Sequence, residues 1–431
     1  MNTAGLSLEQ APPLHLLLRL FMTAPWFAVI TGVILIGQGD LVFASRWTPA
    51  ALAVTHLIVI GFLGQIMCGV MLQMLPVIVG APVPGVQVVG SFIHLSLSLG
   101  AGLMAAGYLG FGPWLLVPGA CCAVLGFMLF VSAAALALHH ARGTLATRQA
   151  IWLALFALML TVLFGSLMVA ALVGLIHLPQ FGKWVDLHTA WGLLGWIGLL
   201  IIGVAYQIVP LFHVTPAYPD WMKHWFVPAA AALLLCASGA TLLDRSGVAA
   251  VCIGGVVAGY VGFAIVTLSL QRRRTRPRLD ATMLHWWSAM GAMMLAALGW
   301  SLGLPVESIG VLLLVGVGIG LPSGMLFKIV PLLCWFHLQH QQLAEGRLDV
   351  SVPHMHGFLA ERHARIYFAL HIASVLALFA ASIYPVLAPL GGVLLALSGL
   401  LLAGLLTASS LRYRRVARAL AQPAVQEAVR K

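Results

Sequence analysis

The sequence predicts an all-α polytopic membrane protein of twelve transmembrane helices, built as three four-helix pseudo-repeats with both termini in the cytoplasm. Three observations lead there. The 431 residues are 61% hydrophobic and only 8% charged, whereas a soluble globular chain carries about 25% charged residues. Apolar stretches long enough to cross a hydrocarbon core of about 30 Å recur from end to end. One short phrase also recurs three times, which is how repeat architectures announce themselves in sequence.

Taken in order, the first unit (14–138) holds predicted spans 14–38, 50–79, 86–108 and 112–138. The second (149–270) holds 149–176, 187–212, 224–243 and 247–270. The third (282–411) holds 282–303, 308–336, 364–385 and 387–411, and a basic cytoplasmic tail follows at 412–431. The connections are too short for a soluble domain. The polar amino-terminal piece is short and no cleavage site follows the first apolar run, so no removed signal peptide is expected.

The net charge of +11 is explained by its placement. With the amino terminus inside, cytoplasmic segments collect Arg142, Arg148, Lys223, the five arginines of "QRRRTRPR", Arg347, Arg362, Arg365 and the tail, while the outer loops hold Arg46, Lys183 and Arg245. That asymmetry follows the positive-inside rule and sets the orientation. A nucleic-acid partner would need a basic folded surface interleaved with aromatics, which these loops lack. The expected partner is the lipid bilayer, in a bacterial inner membrane. Cys68, Cys121, Cys122, Cys236, Cys252 and Cys334 all fall in predicted spans without a CxxC pair, as small packing residues do.

The repeated phrase is "GVMLQMLP" (69–76), "GVAYQIVP" (203–210) and "GMLFKIVP" (324–331), with a further glycine fifteen residues before each proline at Gly61, Gly195 and Gly316. Glycines let membrane helices approach closely. The prolines Pro76, Pro210 and Pro331 are expected to end their helices, since proline has no N–H to donate. Gln73, Gln207 and Lys328, about one turn earlier, are candidates to bond freed carbonyls or to line a polar pore. Lysine inside a span is costly by about 2.5–3.5 kcal/mol, so Lys328 is expected to snorkel to the interface or face a cavity.

Sixteen histidines is a large number beside so few charged residues. Twelve of them (His94, His139, His140, His213, His224, His285, His337, His340, His354, His356, His363 and His371) are placed at cytoplasmic ends, where water reaches them. Among these, His337 and His340 with the "PHMH" pair His354 and His356 have spacings compatible with a cytoplasmic zinc or copper site. His56 and His188 stand apart at the outer ends of the repeated helices, 20 and 22 residues before their prolines. A membrane-embedded imidazole is a functional-site candidate by default; each is either a metal or haem ligand or a ring bonded to a backbone carbonyl. Two positions turn a helical side chain by about 200°, so the two are expected to face opposite ways.

Twelve helices in three units and "HLIVIGFLGQIMCGVMLQMLP" and "HTAWGLLGWIGLLIIGVAYQIVP" resemble subunit I of the haem-copper oxidase superfamily, in its cbb3- and nitric-oxide-reductase-like branch. They also resemble the NnrS-like membrane proteins, which are linked to haem, copper and nitrosative stress. The architectural resemblance spans the chain, but its motifs are confined to helices two, six and ten. It implies haem b on His56, as the helix-two low-spin haem ligand, and copper on His188, as the helix-six copper ligand, in different pores. The family's helix-ten ligand pair is missing, since "ESIGVLLLVGVGIGLPSGMLFKIVP" holds no histidine before His337. Its helix-seven histidine pair is missing too, where "CASGATLLDRSG" stands. No binuclear centre follows, and neither terminal oxidase nor nitric oxide reductase activity of the family type. The sixth ligand of such a haem is left open; Met67 and Met71 lie too far along the same helix, and Met290, Met293, Met294 and Met325 are candidates.

Two functional readings remain at this level. One is a haem- or copper-binding protein of electron transfer or nitrosative-stress response, with a cytochrome, a quinone or a respiratory-complex subunit as partner. The other is a cofactor-free permease or ion or metal conductor on the same fold.

Overall fold

The computed structural model describes residues 12–141, 144–275 and 278–422, apart from the side chain of Ile78. Arg142, Arg276 and the end of the predicted tail, 423–431, lie outside the described residues. All regular structure among the described residues is helical. The helices are α1 (Leu14–Ala44), α2 (Pro49–His56, continuing through Leu57–Gly64 and Gln65–Val79), α3 (Val86–Tyr108), α4 (Leu116–His139), α5 (Leu145–Leu172) and α6 (Phe181–Thr189, Ala190–Gly198, Leu199–His213). They continue as α7 (Met222–Phe226, Val227–Leu242), α8 (Ser246–Arg272), α9 (Ala281–Ser301), α10 (Val306–Gly310, Val311–Ile319, Gly320–Ala344), α11 (Glu361–Ala381) and α12 (Ala388–Ala421).

Eleven of these, all but α9, are long and apolar enough to cross a membrane. α9 has the length but carries His285, Trp286, Trp287 and Ser288 in its first two turns, which lowers its hydropathy. Large apolar side chains such as Ile30, Phe92, Leu125, Leu163 and Val251 cover the outside of the bundle, as lipid-facing surfaces require. Exposed tryptophans mark both ends, Trp47, Trp114 and Trp300 at one and Trp221 and Trp225 at the other, where amphipathic rings favour a membrane–water interface.

The most extensive helix pair is α1 with α12. Gly32 makes it possible: a Cβ there would lie 2.5 Å from the Gly392 carbonyl oxygen and 2.7 Å from the Ala396 nitrogen. Gly39 packs on Ala388 and Gly399 packs on Val29, so the pair is antiparallel and the start of α1 lies at the same end as the finish of α12.

The structure corrects several predicted boundaries. Pro76, Pro210 and Pro331 do not end their helices but lie inside them. A proline forfeits its own N–H bond and crowds the carbonyl four residues back, yet the residues after it can resume helical bonding. The first two helices stop only at left-handed residues, Gly80 and Val214, and α10 runs on to Ala344. α1 likewise continues past 38, through non-helical dihedrals at Gln38 (φ −137°), to Ala44. The predicted tail is helical in its first part, since α12 extends to Ala421 with Tyr413, Val416 and Ala417 packed on the core.

One feature of the repeat was invisible in the sequence. In each copy the turns around the upstream glycine are π-helical, at Leu57–Gly64, Ala190–Gly198 and Val311–Ile319. A π-turn shifts bonding to i→i+5 and frees carbonyls, and such turns concentrate at functional sites. In α6 the Leu194 carbonyl accepts from the Tyr260 hydroxyl, which reaches it because Gly198 has no side chain to block the approach.

Candidate functional site

Near the end of the bundle where α2, α6 and α10 begin, a cavity of about 740 Å³ opens between these helices and their neighbours. That size is ordinary for a cofactor site. Its walls are mostly apolar, including Leu63, Met104, Phe127, Trp196, Ile197 and Leu314. Its mouth is polar and draws on every unit. Arg46, between α1 and α2, pairs through its guanidinium with Asp186 of α6 at 2.9 Å, and its backbone N–H donates to Glu307 of α10 at 2.9 Å. The guanidinium also lies 4.8 Å over the Trp47 ring, a cation–π geometry.

Inside the mouth His56 and His188 meet. Their ring centroids are 6.4 Å apart with planes inclined by 22°, and Tyr108, at the end of α3, lies 5.4 Å from His56. His56 Nδ1 donates to the Leu52 carbonyl at 2.8 Å and His188 Nδ1 to the Thr161 carbonyl at 2.9 Å. A carbonyl only accepts, so each Nδ1 carries the proton and each Nε2 keeps a free lone pair, and both residues line the cavity. α5 makes room for the second ring: a Cβ on Gly165 would lie 3.0 Å from His188 Cε1.

The expectation that these two histidines face opposite ways into different pores is therefore corrected. The offset counts 100° per residue, but π-helical turns lie between each histidine and its proline, at Leu57–Gly64 and Ala190–Gly198, and the two side chains meet in the same gap. Both meanings of a polar end, carbonyl bonding and a free ligand nitrogen, coexist in one ring.

The other sequence candidates lie elsewhere. None of Gln73, Gln207 and Lys328 lines the cavity. Gln207 donates to Thr147 Oγ1 at 3.1 Å, and Gln73 Oε1 is buried without a partner. Lys328 does not snorkel freely; it pairs with Asp280 at 2.8 Å and donates to the Phe212 carbonyl at 3.0 Å. His337 Nδ1 donates to its own helix at Leu333, while His354 and His356 sit at the one-turn helix Met355–Phe358. Among the described residues no group of three or more His, Cys, Asp or Glu side chains is placed to hold a metal ion, so His337, His340, His354 and His356 do not assemble as one site. Of the candidate methionines, Met293 lines the cavity, whereas Met325 accepts from Trp286 Nε1 at 3.1 Å. On α7, Ala237, Ser238 and Thr241 line the cavity, and Ser238 Oγ accepts from Trp191 Nε1.

Three histidines placed at wet helix ends are instead buried. His213 is 3% exposed and its Nδ1 meets Gln271 Nε2 at 2.9 Å. His285 and His371 are both 0% exposed. The available signal was the opposing glycines of α10: Gly320 faces His371 and Gly324 faces His285. No protein-family model matches the chain, and no curated protein is similar to it in sequence.

Proposed function

We propose that this chain is a haem-binding integral membrane protein of electron transfer, in which His56 and His188 are the two axial ligands of one haem b held in the cavity. The carrying observation is the facing pair of imidazoles. Metal–nitrogen bonds of about 2.0–2.1 Å on opposite sides of one ion would set ring centroids about 6 Å apart, and the rings stand 6.4 Å apart. The Nδ1–H bonds to Leu52 and Thr161 supply the outer contacts that fix tautomer and orientation in histidine ligands. Apolar walls suit a porphyrin face. Arg46 is the cation on the wall, and a propionate reaching the mouth would take it in exchange for Asp186.

A haem held by His56 and His188 would supply one-electron transfer. This reading assigns His188 to the haem rather than to copper, and it keeps the chain apart from oxygen or nitric oxide reduction. The residues do the rest: His56 and His188 orient, Tyr108 and Trp196 border the rings, and the Arg46–Asp186–Glu307 ring controls access from one face. In this reading all twelve helices cross a bacterial inner membrane with both termini inside, and a quinone or a cytochrome exchanges electrons at the outer face. The conductor reading loses its best residue, because Lys328 is tied to Asp280 and Phe212.

The test is absorbance of protein purified from a haem-sufficient host, with haem titration of any unloaded fraction. One haem per chain is expected, with a low-spin spectrum lost in both His56→Ala and His188→Ala and kept in His337→Ala. No haem uptake, or a spectrum indifferent to both alanine variants, would overturn the proposal.

A further inference from the structure

A second histidine pair lies away from the cavity, in the third unit. His285 on α9 and His371 on α11 have ring centroids 5.6 Å apart, inclined by 39°, and neither lines the cavity described above. Both are wholly buried, and none of their four ring nitrogens has a hydrogen-bond partner of acceptable geometry, although the Gly320 carbonyl approaches His285. Around them stand Tyr367, Phe327 and Phe368, and the Tyr367 hydroxyl donates to Ser323 at 2.9 Å.

Leaving a buried polar group without a partner is costly, and this pair leaves two imidazoles unsatisfied side by side. The two rings make no hydrogen bond to one another, and their centroid separation of 5.6 Å approaches that of two imidazoles sharing one atom. We infer that His285 and His371 form a two-coordinate site for a single cuprous ion. Imidazole nitrogens suit copper and zinc alike, so charge decides between them. Among the described residues no carboxylate or thiolate joins the two rings in a group that could hold a metal ion. The cost of burying a bare charge rises steeply with its magnitude, so an uncompensated site of this kind favours a monovalent ion over a divalent one. Zinc sites also take four ligands, and among the described residues no group of three or more His, Cys, Asp or Glu side chains is placed to hold a metal ion. Nitrogen–metal bonds of about 2 Å on a nearly linear axis ask for centroids about 6 Å apart, a few tenths of an ångström beyond the separation present. Gly320 and Gly324 of α10 leave the space the rings occupy; a Cβ on Gly320 would lie 2.8 Å from His371 Nε2.

The site is independent of the haem reading, since its residues share no contact with His56 or His188. The experiment is anaerobic titration of the purified full-length protein with Cu(I) against a chromophoric cuprous chelator, followed by X-ray absorption of the loaded protein. One Cu(I) per chain is expected, with two nitrogen scatterers and the pre-edge feature of low-coordinate cuprous copper. Affinity should fall at least tenfold in His285→Gln and in His371→Gln, while Zn(II) binds neither wild type nor variants at this site. Glutamine keeps a polar side chain of modest size, and size-exclusion profile and thermal unfolding in detergent report whether each variant is folded. If a variant does not fold, the absorption spectrum of the wild type decides alone. A wild type that takes up no Cu(I), copper with four ligands or with sulfur ligands, or unchanged affinity in both folded variants would overturn the assignment and leave a bridging water as the occupant.

Discussion

Breaking the Lys328–Asp280 pair tests how the start of α9 is tied to α10. Asp280 caps α9 by accepting from the Met283 N–H at 2.9 Å, and Lys328 of α10 reaches both this carboxylate and the Phe212 carbonyl near the end of α6. A cation at a helix C-terminus and a carboxylate at a helix N-terminus are each favoured by the helix dipole. The side chains are 23% and 29% exposed. Exposed pairs contribute about 0.2–1 kcal/mol, and breaking buried ones costs about 3–5 kcal/mol, so a coupling of about 1–3 kcal/mol is expected between these limits. Asp280→Asn keeps a capping oxygen but strands the ammonium on one carbonyl, so it should destabilise more than Lys328→Met, which leaves Asp280 capping α9.

The assay is thermal unfolding in detergent of wild type, both single variants and the double variant. Extrapolating the size scaling of unfolding entropy gives about 1–2 °C per kcal/mol for a chain this long, so Asp280→Asn should lower the midpoint by about 2–4 °C. The double variant should recover part of that loss. Burial alone would raise the Asp280 pKa, but the adjacent Lys328 ammonium, the bond to it and the Met283 N–H together hold it below the ordinary carboxylate value. The stabilisation is therefore complete above the unfolded value of about 3.9 and disappears as pH falls through the lower folded value. A coupling near zero at pH 7, or a Lys328→Met protein more stable than wild type, would refute the joint as described.

Three further outcomes are expected. Gly165→Val should push the His188 ring off the Thr161 carbonyl and lower haem occupancy severalfold, whereas Gly165→Ala, whose Cβ asks the ring to yield only slightly, should keep most of it; equal occupancy in wild type and the valine variant would contradict the placement of His188. Gly32→Leu should separate α1 from α12 and destabilise by about 1–3 kcal/mol or more, as overpacking does, read as lowered melting temperature and faster limited proteolysis. Tyr260→Phe removes the donor on the Leu194 carbonyl in the π-turn and should cost about 1–3 kcal/mol, measured against wild type in the same thermal assay.

The apolar spans and the repeated phrase were legible because a bilayer imposes length and hydropathy on each crossing. Helix ends were less so. Pro331 looked like a stop, yet the residues beyond it through Ala344 keep enough helical bonding and packing to continue. The π-turns were hidden because they are a register of backbone bonds rather than a pattern of residue types. His56 and His188 stand out in the sequence, but the half-turn counted between them takes no account of the π-turns that follow each. Their meeting depended on which helices are neighbours, which a single helix cannot disclose. His285 and His371 were placed in water because position along a span was counted without the packing around it. Gly320 and Gly324 on a different helix are what bury them.

The central claim is that one haem is held by His56 and His188 together, and axial ligation measures it directly. Low-temperature electron paramagnetic resonance with near-infrared magnetic circular dichroism of the oxidised purified protein identifies both axial ligands of a low-spin haem. The expected result is a single bis-imidazole species in the wild type, converted to a high-spin, five-coordinate signal in His188→Ala. A histidine–methionine signature, or a wild-type haem that is high-spin from the start, would contradict it.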